Sequence, residues 1–146
     1  VGNRLSLIAA IVPAGVVTTH TVFCLRTVLS DEQQHFLCGL FNSYVLNAVV
    51  RLLMGGHVTT GLVEGLPVPV WTGDVEQRRI AELARTLTRE SQAVDPEAEL
   101  QGAVARLFQL TPEMFKHVLR GFPLVEQRRR EASLVALSSN PAHRSL

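Results

Sequence analysis

Between Ser30 and Gly56 apolar residues recur every four positions: Phe36, Leu40, Tyr44, Ala48 and Leu52, with Leu37, Phe41, Val45 and Val49 alongside. At 3.6 residues per turn this spacing makes a helix whose apolar face is wide, so the helix must be substantially buried. Ser30 followed by Gln33 has the form of a capping box, and Asp31 and Glu32 sit at the positive end of the helix dipole. Gly55-Gly56 reads as the end of the helix. Whatever this chain folds into, other elements have to cover that helix.

The flanking segments supply candidates. Leu5–Val12 is a continuous apolar run that ends in Val12-Pro13-Ala14-Gly15, the pattern of a strand stopping at a turn. Thr21–Leu29 is rich in β-branched and aromatic residues and reads as a second strand. Residues 57–70 hold too many Gly and Pro for a central strand, and fit an edge strand or an extended connection. Nearly half the residues are hydrophobic and few are aromatic, which suits an ordinary soluble α+β protein. The expected fold class is therefore α+β: a small sheet with a buried helix, followed by a C-terminal helical region. Leu5–Val17 behind Arg4 has the outline of a signal peptide, but Pro13 and Gly15 interrupt it, and a buried strand is the better reading. No apolar run approaches the roughly 20 residues of a membrane helix. Cys24 and Cys38 lie in apolar runs without metal-ligand spacing, and read as reduced, buried core residues of a cytoplasmic protein. The chain opens on Val1 in what reads as mid-element, so a boundary inside a longer protein is expected.

From Asp74 the texture changes. Residues 1–73 carry three basic and three acidic residues, whereas residues 74–146 carry eleven and ten. Asp74 with Gln77, Asp95-Pro96 and Thr111-Pro112 each read as helix starts, and Gly121-Phe122-Pro123 as a stop before a last charged helix through Leu137. The expected domains are a partial α+β unit over 1–73, a helical region over 74–137 and a disordered tail over 138–146. The net charge of +1 lacks the basic stripe of a stand-alone nucleic-acid binder.

Catalytic patterns are absent from the sequence. No glycine-rich loop follows a strand, the five histidines do not pair at metal spacing, and no Ser, Cys or Thr has the local context of a nucleophile. Asn140-Pro141-Ala142-His143 lacks the aromatic residue that would stack on a flipped base. The chain is expected to hold no catalytic residue, no metal and no cofactor, and not to be an enzyme by itself.

Three stretches in order carry a resemblance: Arg4–Val16, then Phe36–Ser43 leading to Arg51 and Gly55-Gly56-His57-Val58-Thr59, then Leu66-Pro67-Val68-Pro69 followed by Glu76–Ala81. Together they resemble the C-terminal specificity region of adenine-specific DNA methyltransferases, including fused type II restriction-modification enzymes. The second and third stretches are also similar to target-recognition domains of type I specificity subunits. Leu100–Gly121 is similar to the helical ending of many such methyltransferases. The resemblance covers most of residues 4–122. It implies double-stranded DNA as partner, alongside a catalytic domain of the same parent chain that would bind S-adenosylmethionine and flip the adenine. Residues 74–137 would then act as a brace between recognition and catalysis.

Sequence selection needs donors that reach base edges, plus phosphate contacts that fix register. Gly55, Gly56, His57, Thr59 and Thr60 are the first candidates, because the glycines permit close backbone approach and the side chains can donate. The same residues also fit a helix C-cap and turn. Thr18, Thr19 and His20 are a second set, with loop solvation as their bland reading. Arg51 fits either a phosphate contact or a cap on its own helix carbonyls. Asn42 and Ser43, mid-helix, read as satisfying a packed loop or strand, and Arg128-Arg129-Arg130, flanked by Glu126 and Glu131, as a solvated face. An exposed front edge also offers a homodimer contact alongside the DNA reading. Rival readings are a protein-interaction or scaffold domain with no DNA role, and a small enzyme of unrecognised type.

Overall fold

A computed structural model describes residues 4–19, 22–90 and 94–139 of the chain. Among them run seven helices: α1 (Asp31–Phe41), α2 (Tyr44–Leu53), α3 (Thr60–Glu64), α4 (Val75–Arg89), α5 (Val94–Leu107), α6 (Pro112–Arg120) and α7 (Gln127–Ser138). The described residues contain no strand, which overturns the expected α+β class and its small sheet. Residues 5–12 and 22–29 form neither helix nor strand, with bends at Ser6, Leu7 and Val22, although their β-branched composition favours strands. Composition dictates backbone shape locally, whereas a sheet also needs a second strand.

The long apolar repeat forms two helices rather than one, and they bend by 60°. Asn42 ends α1, with its N–H on the Cys38 carbonyl. Ser43 turns extended and caps α2, its Oγ accepting from Leu46 N at 3.1 Å and donating to Leu40 O at 2.7 Å. A serine hydroxyl that competes for backbone groups is worth about 1 kcal/mol at such a start, enough to place the break inside an unbroken apolar pattern. No single helix among the described residues is long and apolar enough to cross a membrane.

The main body is α1 lying along α4, α4 along α5, and α5 along α7, with α2 and α6 closing one side. Leu40, Leu46, Val50, Ile80, Val104 and Phe115 are wholly enclosed, so one core crosses the expected division at residue 73. The closest approach is at Gly102, where a Cβ would stand 2.6 Å from the Ala136 carbonyl carbon and 2.7 Å from Leu137 N. Ion pairs tie neighbouring helices: Arg85 to Asp31 at 2.7 Å, Arg106 to Glu76 at 2.7 Å, and Arg129 to Glu97. Arg129 is thus turned inward, 11% exposed, which corrects the reading of the whole arginine run as a solvated face.

Three other expectations change. Residues 57–70 include α3, started by Thr59, whose Oγ1 accepts from Leu62 N at 3.3 Å. From Leu66 the chain runs outside helix and strand to Asp74, turning first where Val68 N donates to Leu66 O at 2.8 Å. There Trp71 meets Phe36 at 5.1 Å. Gln77 Oε1 accepts from Thr72 N and Gly73 N, so it does not reach back to Asp74 as a full capping box would. Helix α5 begins at Val94, which puts Asp95-Pro96 inside its first turn instead of at the cap. Proline is tolerated there because first-turn N–H groups have no helical partner. The tail from Asn140 onward lies outside the described residues.

Candidate nucleic-acid interface

Helix α2 ends in an exposed loop. Met54 closes it in an extended conformation, Gly55, Gly56 and His57 are exposed, Val58 is half-buried, and Thr59 and Thr60 begin α3. A Cβ built on Gly55 or Gly56 meets nothing within 4 Å, and neither residue has a positive φ. Nothing in the chain's own packing calls for glycine at these two positions.

Arg51, one turn before this loop, is a structural hub. Its Nε donates to Ser6 Oγ at 3.1 Å, one terminal nitrogen to Arg4 O at 2.9 Å, and the other to Gly121 O. Its guanidinium also lies 4.1 Å from the centre of the Phe122 ring. Neither earlier reading of Arg51 describes this. It caps no carbonyl of its own helix, and its donors are engaged within the fold. By doing so it pins the end of α2 to the end of α6 and to the start of the chain, which fixes the base of the 54–60 loop.

Two asparagines hold the N-terminal segment in turn. Asn47 Oδ1 accepts from Ser6 N at 2.9 Å and Leu7 N at 2.8 Å, while its Nδ2 donates to Phe41 O and Ser43 O, each at 2.9 Å. Asn42 Oδ1 accepts from Ala9 N at 3.1 Å and its Nδ2 donates to Ala9 O at 2.8 Å. Asn42 thus presents one amide edge to the extended segment much as a neighbouring strand would. Ser43 and Asn42 act inside the fold, on a helix start and an extended segment. Asn47 was not singled out by the sequence reading, although an amide inside an apolar helical face was the available signal.

The second candidate set is partly visible. Thr18 is half-buried, its Oγ1 3.0 Å from Cys24 Sγ and 3.5 Å from the Val22 carbonyl oxygen. Thr19 is exposed, and its carbonyl accepts from Val22 N at 3.0 Å. His20 lies outside the described residues. Cys24 is exposed rather than buried, and Cys38 is half-buried. Burial pushes the Cys38 thiol up from its ordinary range, the wrong direction for a nucleophile at neutral pH.

A shallow groove of about 180 Å³ lies between Phe36, Leu37, Val68, Pro69 and Trp71, with Gln33 at its side. It contains no titratable side chain, so it offers no acid or base. Among the described residues no group of three or more His, Cys, Asp or Glu is placed to hold a metal ion. Compared with protein-family models, curated proteins and solved structures, the chain matches none of them.

Proposed function

We propose that this chain is a DNA-recognition segment of an adenine-specific DNA methyltransferase of the restriction-modification kind, and that the 54–60 loop is its contact with duplex DNA. The observation that carries this reading is the pair Gly55-Gly56. Glycine is a costly choice in an exposed loop, where any residue with ordinary φ would serve with less backbone entropy to lose. Since no internal contact asks for it, an approaching partner is the remaining reason. The loop then offers backbone N–H groups to phosphate, and His57, Thr59 and Thr60 to base edges or sugar. Thr59 also caps α3, so its hydroxyl is shared between the two tasks. The sequence resemblance supports the same reading. Methyl transfer and S-adenosylmethionine would belong to the catalytic domain of the parent, with the bundle of α4 to α7 as the brace that holds the loop at a fixed distance.

The test is fluorescence anisotropy of a labelled random-sequence duplex with the 146-residue chain, titrated over a salt series from low ionic strength. The expected binding is weak and falls steeply as salt rises. Gly55→Val with Gly56→Val lowers the affinity about tenfold, a loss of ~1.4 kcal/mol, while the melting temperature does not fall and rises slightly, because the added side chains meet nothing and restrict the unfolded chain. Absence of salt-dependent binding, or an unchanged affinity in the double variant, removes the reading.

A further inference from the structure

We infer that the junction of α1 and α2 is a peptide-binding site, occupied in this structure by the chain's own residues 4–9 and able to take a separate peptide of the same pattern in their place. The receptor half is three side chains, Asn42, Asn47 and Arg51, and the bundle itself fixes each of them. Asn47 Nδ2 donates to Phe41 O and Ser43 O, and Asn42 Nδ2 donates to Cys38 O at 2.9 Å. Arg51 is held by Gly121 O and by the face of Phe122. With those contacts made, Asn42 Oδ1, Asn47 Oδ1 and two nitrogens of Arg51 still serve residues 4–9. Asn47 is 0% exposed, and a buried amide oxygen without a donor is destabilising, so some N–H group has to meet it.

The ligand half is almost all backbone. The N–H groups of Ser6 and Leu7 share Asn47 Oδ1. Bends at these two residues turn successive N–H groups to one side, where a straight strand would point them apart. Ala9 meets Asn42 with both its N–H and its carbonyl, and Cys38 Sγ lies 3.6 Å from that same carbonyl. Arg4 contributes its carbonyl to Arg51, and the Ser6 hydroxyl is the one side-chain group of residues 4–9 in this set of bonds. Backbone groups are common to any sequence, so selection falls on Leu5 and Leu7, which are half-buried against the core. None of residues 4–9 is itself fully buried, so lifting the segment leaves the core of the bundle closed. A receptor preformed by the helices, facing a ligand that adds no core residue, is how a site is related to a bound peptide. The ligand class is therefore a bent, non-helical peptide with apolar residues two positions apart and free N–H groups at the equivalents of Ser6, Leu7 and Ala9. Proline is excluded at those three positions because it has no N–H. The test uses no DNA, so this proposal stands or falls separately from the DNA reading.

The chain's own segment competes at an effective concentration of about 1 mM, so the site is tested by vacating it. Leu7→Pro with Ala9→Pro removes two N–H donors from that segment and leaves Asn42, Asn47 and Arg51 in place. A fluorescein-labelled peptide of residues 4–10, followed by anisotropy, should bind this doubly substituted chain about tenfold or more tightly than it binds the wild-type chain. The same peptide with proline at the positions of Leu7 and Ala9 should not bind. Adding Asn47→Ala to the doubly substituted chain should weaken the peptide about tenfold. A second measurement needs no substituted chain. Unlabelled peptide at about 5 mM, in excess of the effective concentration, should speed hydrogen exchange at the Ser6 and Leu7 amides of the wild-type chain while α5 stays protected. Peptide binding no tighter to the doubly substituted chain overturns the proposal, as does equal binding of the proline-bearing peptide or indifference to Asn47→Ala. Unchanged exchange at Ser6 and Leu7 also overturns it, and that result alone decides if the doubly substituted chain loses its helical circular dichroism.

Discussion

Along the helices from Asp31 to Ser138, interior backbone groups are satisfied within their own element, and side chains are left free to pack. The segment from Leu5 to Val28 has no such internal ladder. Its start borrows partners from Asn42 and Asn47, and the remainder carries its apolar side chains in solvent. Both regions are rich in hydrophobic residues, so hydrophobicity alone does not decide what becomes core. A helix brings its own hydrogen bonds to the interior, while an extended segment enters only as far as other groups supply them. The two tethering asparagines mark how far that supply reaches.

The largest test of the bundle is Gly102→Ala. The new methyl would meet backbone atoms of α7 that cannot rotate away, so α5 and α7 must separate. A loss of ~3 kcal/mol is expected, at the upper end of overpacking effects, read as a fall in the urea midpoint. The N-terminal segment should keep its slow amide exchange at Ser6 and Leu7 up to global unfolding. A variant of unchanged stability would mean the two helices are not packed as closely as the contact implies.

Asn47→Ala strikes the junction between the two regions. It deprives two N–H groups of the segment of their acceptor, and the Phe41 and Ser43 carbonyls of a donor. About 2 kcal/mol should be lost, and Ser6 and Leu7 should exchange rapidly while the α5 core stays protected. Retained protection at those two amides would show that packing of Leu5 and Leu7, rather than the asparagine, holds the segment.

A smaller effect, confined to alkaline pH, tests how dry the junction is. Burial, reinforced by the Glu97 carboxylate, raises the Tyr44 hydroxyl well above its ordinary value of 10.0. Above that value the unfolded chain loses the proton and the folded chain keeps it. The folded state then binds more protons, so stability falls as pH rises past about 10. Tyr44 is the one tyrosine of the chain, so Tyr44→Phe in a Cys38→Ser background should flatten that decline in denaturation midpoints. An unaltered alkaline slope would place the hydroxyl in contact with water.

The same contrast explains what could be read from the sequence. Ser30, Asp74 and Thr111-Pro112 mark helix starts that the structure also has, because a cap is decided by three or four adjacent residues. The break at Asn42-Ser43 was hidden, since the apolar repeat runs straight through it and only the partners of two polar side chains reveal it. The supposed strands are neither strand nor sheet among the described residues, because pairing is not encoded in the segment that needs it. The 54–60 loop was legible from its glycines. Arg51 was not, because its partners lie 45 to 70 positions away in the chain.

The finest comparison concerns left-handed backbone outside the helices, which the N-terminal segment uses once, at Gly15, and the bundle twice, at Gly73 (φ 71) and Gln109. In the N-terminal segment Gly15 takes it, at φ 88. In the bundle Gln109 does, at φ 56, where α5 closes with Leu110 N on Ala105 O at 2.9 Å. This is the helix-ending geometry that normally selects glycine. Gln109→Gly removes the penalty of a side chain at positive φ but adds freedom to the unfolded chain, leaving a net gain of ~0.5 kcal/mol. That gain should appear as a rise in melting temperature, because the α5 end is part of the cooperative bundle. Gly15→Ala carries the same kind of penalty with nothing within 4 Å of the new methyl. Its effect should be confined to the segment, seen as faster proteolysis near Pro13 and an unmoved melting temperature. If Gly15→Ala instead lowers the melting temperature as much as Gln109→Gly raises it, the segment unfolds with the bundle. The two regions would then be one cooperative unit despite their different ways of satisfying the backbone.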